Sequence, residues 1–282
     1  MSNRPVSVRR RLRLILANTS AIVVAVVLFF PIYWMIATAF KSGTDILSVD
    51  PQWIPQRPTL ANFTSAIHRP HFIDAVVNSA IIVTATVAIS LAVAFFAAIA
   101  VARFSFFGRK AFLLMLLIVQ MIPMTAMIIP IYLLLNDAGQ TNKLPGVVIT
   151  YLTFVLPFAI WTLRGFIVNI PAELEEAAMM DGCTRFGALR RIIFPLVAPG
   201  LVATSIFAFI QAWNEYLLAY VLLSSPENRT LTVWLAAFTT RNGTAWGPLM
   251  AASTLTALPV VVFFVAIQRK IAAGLTAGAV KG

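Results

Sequence analysis

Residues 176–195 read EAAMMDGCTRFGALRRIIFP and form a polar segment between two long apolar runs. Pro171 and the acidic residues after it have the composition expected of the first turn of a helix. Those acidic residues are Glu173, Glu175 and Glu176. Gly182 permits the left-handed backbone at which many helices end, and a second short helix is predicted over residues 184–193. The segment therefore predicts a helix-turn-helix.

Two interpretations of this helix-turn-helix are open. Its Ala and Met side chains, beside Phe186, suit insertion into a groove on another protein. Alternatively, it is an ordinary pair of interfacial helices between two spans, and its acidic residues only complement the helix dipole.

Composition indicates a membrane protein. The chain has 282 residues, of which 60% are hydrophobic and 11% charged, and its mean hydropathy is +0.89. Six apolar runs approach the length of about 20 residues that crosses a bilayer as a helix. They cover residues 14–40, 75–102, 111–135, 147–167, 197–223 and 248–267. We therefore predict an all-α polytopic bundle: a basic terminus at 1–13, one transmembrane domain at 14–267 and a tail at 268–282.

The basic residues predict the orientation of the bundle. Of the 21 Lys and Arg residues, 15 lie at the two termini, in the second-to-third loop or in the fourth-to-fifth loop. Because cytoplasmic loops carry an excess of Lys and Arg, both termini and the helix-turn-helix are expected in the cytoplasm. This asymmetry also accounts for the net charge of +11, so a nucleic-acid partner is not expected.

The fifth predicted span contains the only acidic residue within the six runs, Glu215. An acid in a membrane helix costs about 2.5–3.5 kcal/mol on insertion scales, so it normally faces water or a partner. Amides and aromatic rings surround it, and such groups bind sugar hydroxyls and the apolar face of a sugar ring. The candidate solute pathway is Gln211, Trp213, Asn214, Glu215, Tyr216 and Tyr220. Alternatively, Glu215 and Asn214 bond to a neighbouring helix and fix packing between subunits.

No metal site or catalytic site is expected. His68 and His71 are three residues apart near Asp74, but Pro70 interrupts the helix that such a site would need. Cys183 is the only cysteine. No nucleophile with a base and no paired carboxylates mark an enzyme, and no G-x-x-x-x-G-K-[ST] phosphate loop is present.

The spacing of the polar segment resembles the EAA loop of bacterial ABC-importer permeases. Glu-Ala-Ala begins at residue 176, Gly182 follows, and Ile192, Phe194 and Pro195 close the pattern. Residues 123–132, the WNEY of 213–216 and the tail GLTAGAVKG of 274–282 are similar to maltose-type sugar permeases. Phe194 departs from the Leu usual in the family, but it keeps an apolar side chain. We call residues 171–195 the coupling loop.

This resemblance implies a carbohydrate ABC-importer permease with six spans and no catalytic role of its own. It assigns ATPase coupling to Glu176, Ala177, Ala178, Asp181, Gly182, Ile192, Phe194 and Pro195, and ATPase contact by the tail to Gly274, Gly278 and Lys281. The implied partners are a second permease, an ATPase dimer, an extracytoplasmic solute-binding protein and membrane lipid. No cofactor is expected on this chain; ATP and Mg²⁺ belong to the ATPase.

The implied location is the bacterial plasma membrane. Two alternatives remain at this point. One is an ABC importer for a non-sugar solute, and the other is a secondary carrier driven by an ion gradient. A secondary carrier normally shows more intramembrane ionisable groups and paired inverted repeats.

Overall fold

The computed structural model describes the backbone of residues 8–279 and the side chains of residues 14–268. Five of its described helices are long and apolar enough to cross a membrane, and the number is six if a sharply bent helix pair is counted as one span. The prediction of an all-α polytopic membrane bundle is therefore confirmed.

Helices are numbered in chain order. The longer ones are α1 (Val8–Ala39), α4 (Phe72–Arg103), α5 (Arg109–Met121), α6 (Ile128–Asp137), α7 (Leu144–Val168), α10 (Phe194–Asn214) and α13 (Trp246–Ala279). The shorter ones are α2 (Gly43–Ile46), α3 (Ala61–Ile67), α8 (Glu173–Met180), α9 (Arg185–Ala188), α11 (Leu217–Leu222) and α12 (Leu231–Ala236). Two 3₁₀ turns cover Met124–Met127 and Pro226–Asn228, and a π-helical turn covers Leu189–Ile193. Strands β1 (Thr239–Thr240) and β2 (Gly243–Thr244) pair antiparallel, with Thr239 opposite Thr244.

The chain forms two compact units, and the first contains residues up to Arg69 together with Phe238–Ala257. Within it, the Asn62 amide donates to the carbonyls of Ala39 and Lys41, at 2.9 and 2.8 Å, and so ties α3 to the end of α1. Lys41 is only 2% exposed. Its ammonium lies 3.9 Å from the centroid of the Trp34 ring. Burial lowers the pKa of Lys41, and the Asp45 carboxylate opposes that shift.

The second unit contains Pro70–Ala237 and the chain from Leu258 onward. Its core lies where α4, α7 and α10 pack together. Ala94, Ala98 and Ala159 in this core are fully buried, and such small side chains let helix backbones approach closely. A Cβ on Gly200 of α10 would lie 2.6 Å from the Phe166 ring of α7, so glycine is needed where these two helices meet.

Two predicted spans differ from the structure. The run at 111–135 is two helices, Arg109–Met121 and Met124–Asp137, bent by 94°. The bend occurs at Pro123, which has no backbone N–H to continue the first helix. The run at 197–223 is interrupted because α10 ends at Asn214. Glu215 has extended backbone angles (φ −68°, ψ 127°), and α11 begins two residues later.

The last helix, α13, continues well beyond the sixth predicted span, to Ala279. Gly274 and Gly278 of the predicted tail therefore lie on its helical backbone. Lys281 lies outside the described residues.

Candidate functional site

The break between α10 and α11 places Glu215 at the start of a helix. The backbone N–H of Leu218 donates to Glu215 Oε1 at 2.8 Å, and that of Ala219 donates to Oε2 at 3.0 Å. These N–H groups belong to the first turn of α11, where they have no partner within the helix. A carboxylate there also complements the positive end of the helix dipole. Glu215 therefore stabilises the first turn of α11.

Glu215 also joins α11 to other parts of the second unit. The Tyr151 hydroxyl on α7 donates to Glu215 Oε2 at 2.8 Å, and Tyr151 is only 3% exposed. The Thr232 hydroxyl on α12 donates to the Glu215 carbonyl at 2.8 Å. Glu215 thus bonds to neighbouring helices of its own chain. The interpretation that Glu215 and Asn214 fix packing between subunits stays a prediction.

Glu215 lies in the wall of a cavity of about 680 Å³. This volume is within the range typical of small-molecule sites. The wall is built by α5, the turn after it, α7, α10 and the start of α11. Its polar and aromatic members are Gln120, Tyr151, Thr153, Phe154, Phe158, Phe207, Gln211, Asn214, Glu215 and Tyr216.

The structure brings four of the predicted pathway residues to this cavity: Gln211, Asn214, Glu215 and Tyr216. Trp213 does not line it. Trp213 is 8% exposed and stacks on Phe209, with ring centroids 5.6 Å apart. Tyr220 does not line it either and stacks on Tyr216 at 5.5 Å. A helix presents only part of a short sequence run to any one side, which explains the separation.

Several cavity residues were not among the sequence candidates, and most of these come from α5 and α7. Phe158 on α7 stacks on Phe207 on α10, with ring centroids 3.8 Å apart. Gln120 is near the end of α5, shortly before the bend at Pro123. The sequence could have indicated Gln120, because it is a polar residue in an apolar run and lies close to a proline. The phenylalanines carried no such signal, because apolar side chains fill every span.

The coupling loop is a helix-turn-helix, as predicted. Helix α8 ends at Met180, and Gly182 has φ of +85°. The N–H of Gly182 donates to the Met179 carbonyl at 3.1 Å, and that of Cys183 donates to the Ala178 carbonyl at 3.0 Å. This pair of bonds is a Schellman motif, which pairs the last carbonyls of a helix and favours glycine at the left-handed position.

The second loop helix runs into the fifth span without a break. Thr184 caps α9 by accepting the Gly187 N–H at 3.1 Å. The helix then passes through the π turn at Leu189–Ile193 into α10. Pro195 lies just after this turn and has no N–H to offer the carbonyl four residues earlier. The residues from Arg185 to Asn214 therefore form one continuous helical path.

The predicted coupling residues differ in exposure. Those with exposed side chains or backbone are Glu176, Ala177, Asp181, Gly182, Phe194 and Pro195. Ala178 is buried and Ile192 is half-buried. Two large apolar side chains of the loop are strongly exposed, Met180 at 88% and Phe186 at 66%. Exposed apolar side chains beside acidic ones are suited to a protein partner.

The coupling loop is also bonded to the end of α4. Arg103 Nε donates to Glu175 Oε1 at 2.5 Å, and Arg103 Nη2 donates to the Ile170 carbonyl at 2.8 Å. Both side chains are half-buried. The sequence showed Arg103 only as a basic loop residue and Glu175 only as a helix-start acid, because nothing local indicates that they pair.

No metal site is built around the histidines in the described structure. His71 Nδ1 lies 2.9 Å from Asp74 Oδ2 at the start of α4. Among residues 14–268, no three His, Cys, Asp or Glu side chains lie close enough together to hold an ion.

Known proteins resemble this chain over most of its length. Residues 90–276 match the model of a family described as "Binding-protein-dependent transport system inner membrane component". The diacetylchitobiose uptake system permease protein DasC of Streptomyces coelicolor is 47% identical, over 94% of this chain and 96% of that protein. The trehalose transport system permease protein SugB of Mycobacterium tuberculosis is 36% identical, over 89% and 92%.

A solved structure shares the fold. It is a bacterial ABC transporter involved in the import of the acidic polysaccharide alginate, and the match has a TM-score of 0.81. The identity is 22%, over 95% of this chain and 99% of that chain.

Proposed function

Because this chain belongs to the family of inner membrane components of binding-protein-dependent transport systems, we propose that it is the permease subunit of an ABC importer for a carbohydrate. The observation that carries the proposal is the cavity of about 680 Å³ beside Glu215. Amide groups and phenylalanine rings line it, and these groups suit the hydroxyls and the C–H face of a sugar. The relatives named for diacetylchitobiose and trehalose support the same solute class.

In this proposal, ATP hydrolysis occurs on a separate ATPase pair, and this chain is not itself an enzyme. Mg²⁺ and ATP are held by that pair, and this chain binds no cofactor. Glu176 and Asp181 contact the ATPase, and Gly182 forms the bend between the loop helices. Ile192, Phe194 and Pro195 connect the loop to α10. Phe194 also packs edge-on against Phe95 of α4, with centroids 5.6 Å apart.

Motion of the ATPase pair reaches the cavity along two connections. The first is the continuous helical path from Arg185 to Asn214, which ends at the cavity wall. The second is the Arg103–Glu175 ion pair, which attaches the loop to α4. Rocking of these helices exposes the cavity alternately to the two sides of the membrane, which is alternating access.

The proposed assembly contains a second permease, two ATPase subunits and an extracytoplasmic solute-binding protein. Both termini of this chain lie in the cytoplasm of a bacterial cell, as the distribution of Lys and Arg indicates. The tail residues Gly274, Gly278 and Lys281 reach towards the ATPase pair.

Reconstitution into proteoliposomes tests this function. The chain is assembled with the second permease, the ATPase and the solute-binding protein, and labelled diacetylchitobiose and trehalose serve as probes. We expect uptake of at least one sugar when ATP is present on the ATPase side. We expect none with a non-hydrolysable analogue or without the binding protein. Uptake that is driven by a proton or sodium gradient and does not depend on ATP would contradict the proposal.

A further inference from the structure

The described lining of the cavity in the second unit carries one negative charge and no positive charge. Among the residues whose side chains the structure describes, the lining contains no Lys, Arg or His, and its one carboxylic acid is Glu215. The remaining polar lining comes from amides and hydroxyls. A negatively charged solute group in this part of the wall would therefore meet a carboxylate and no cation.

Both oxygens of the Glu215 carboxylate accept hydrogen bonds. Its partners are the Tyr151 hydroxyl and the N–H groups of Leu218 and Ala219, and all three donate to it. None of these partners carries a positive charge that could offset a second anion nearby. Removing an anionic group from water beside an existing carboxylate is unfavourable, because desolvation and like-charge repulsion add.

Three amide side chains in the wall are available to a solute. Gln120 on α5 and Gln211 and Asn214 on α10 are exposed. Within the described residues, none of the three side chains forms a hydrogen bond that would occupy it. Each amide offers two N–H donors and a carbonyl acceptor. Such groups pair with hydroxyls and with acetamido groups, both of which are uncharged.

Phenylalanine rings complete the wall. Phe154 contributes from α7, and the stacked pair Phe158 and Phe207 joins α7 to α10. These rings offer an apolar surface to the C–H face of a pyranose. They offer nothing that would hold a carboxylate, sulfonate or phosphate.

We propose that this cavity selects uncharged saccharides, bearing hydroxyl or acetamido groups, and rejects saccharides that carry an anionic group on the sugar unit it holds. The inference rests on the proposed function, since it assumes that the cavity is the solute path. It goes further, because it divides neutral sugars from uronic acids, sugar phosphates and glycerol phosphates.

Binding to the assembled transporter, without its solute-binding protein, tests the selection directly. The complex is placed in lipid nanodiscs, and saturation-transfer NMR compares each neutral probe with an anionic derivative of the same size. The probes are trehalose and trehalose 6-phosphate, and diacetylchitobiose and its terminal uronic acid. We expect the anionic member of each pair to bind at least about tenfold more weakly, and an equal affinity would overturn the inference.

A variant that adds a cation provides the decisive comparison. Gln211 lies in the last turn of α10, which ends just before Glu215, and both residues line the cavity, so Gln211→Arg adds a guanidinium to the same wall as the carboxylate. In this variant, the ratio of the affinity for the neutral probe to the affinity for the anionic probe should fall several-fold. Gln211→Met removes the amide without adding charge, and it should weaken the neutral probes while the anionic ones stay rejected. If Gln211→Arg leaves the ratio of neutral-probe affinity to anionic-probe affinity unchanged, the inference is overturned.

The outcomes separate this inference from the proposed function. ATP-driven uptake of a neutral sugar together with no detectable probe binding, or with no response to the Gln211 variants, overturns the cavity selection and leaves the importer function in place. Uptake that is independent of ATP overturns the importer function itself.

Discussion

Arg103 at the end of α4 and Glu175 in the first turn of α8 form an ion pair with an N–O distance of 2.5 Å. The two residues are 72 positions apart in the chain. Arg103 also holds the Ile170 carbonyl just before the coupling loop. One side chain therefore fixes both the entry to the loop and its first helix.

Loss of this ion pair is expected to weaken coupling more than folding. Charge-assisted hydrogen bonds contribute about 1.5–3 kcal/mol, and the exposed fractions of 16% and 23% reduce that to about 1 kcal/mol. In Glu175→Gln, we expect a fall of several-fold in uptake per ATP hydrolysed in proteoliposomes. Glu173→Gln is the control, because Glu173 lies in the same turn, is exposed and has no ion pair in the described structure. Equal effects of the two substitutions would argue against a role for the pair.

Gly182 is expected to tolerate few replacements, because its φ is +85°. An L-residue in this region costs about 1–2 kcal/mol. Gly182→Pro should leave membrane insertion intact but uncouple ATP hydrolysis from uptake, since proline cannot adopt a positive φ. Gly165→Ala is the control, because a Cβ at Gly165 meets no atom within 4 Å. Normal uptake by Gly182→Pro in proteoliposomes would contradict the coupling assignment.

Tyr151→Phe removes one of the three donors to the Glu215 carboxylate and leaves the two backbone bonds in place. We expect a lower melting temperature in detergent and reduced uptake, because a hydrogen bond to a charged group contributes about 1.5–3 kcal/mol. Tyr220→Phe is the control, since Tyr220 is 56% exposed, stacks on Tyr216, and has no hydrogen bond from its hydroxyl to any residue that the structure describes.

Two substitutions of Glu215 distinguish its role in supporting α11 from a role in contacting the solute. Glu215→Gln keeps one acceptor oxygen, whereas Glu215→Ala removes all three side-chain bonds. If uptake and solute-stimulated ATP hydrolysis both survive Glu215→Ala, the residue has no role in the pathway.

Asn142 is expected to be a stability site at the end of α11. Its backbone is left-handed, with φ of 55°. Its N–H donates to the Leu222 carbonyl at the end of α11, and its side chain exchanges two hydrogen bonds with Ser225. Asn142→Ala should cost about 2–3 kcal/mol, from two hydrogen bonds and the strained backbone. Asn142→Gly relieves the strain and loses only the side-chain bonds, so thermal unfolding should rank it between alanine and the native chain. A reversed order would contradict this explanation.

Sequence reasoning succeeded where the determinants were local. The turn at Gly182 follows from a glycine after a run of good helix formers, and the first turn of α8 follows from Pro171 and its glutamates. Prediction from the sequence was less accurate for the ends of the membrane spans. Hydropathy alone carried the fifth span through to residue 223, whereas the carboxylate of Glu215 starts a separate helix there.

The candidate site was only partly predictable for a geometric reason. The run around Glu215 supplied four cavity residues, but Trp213 in the same run faces Phe209. Gln120, Phe154 and Phe158 reach the cavity from α5 and α7. Which side chains meet across helices depends on how each helix is rotated and bent, and hydropathy does not report that rotation.

By itself, the sequence determined the membrane class, the helical content and the position of the coupling loop. Each of these depends on residues close together in the chain, through apolar length, proline and glycine placement, or charge. Only the tertiary structure decided that Tyr151 donates to Glu215, that Arg103 pairs with Glu175, and which helices form the walls of the cavity. Those contacts join residues tens of positions apart, and they exist only once α4, α7 and α10 pack on their small side chains.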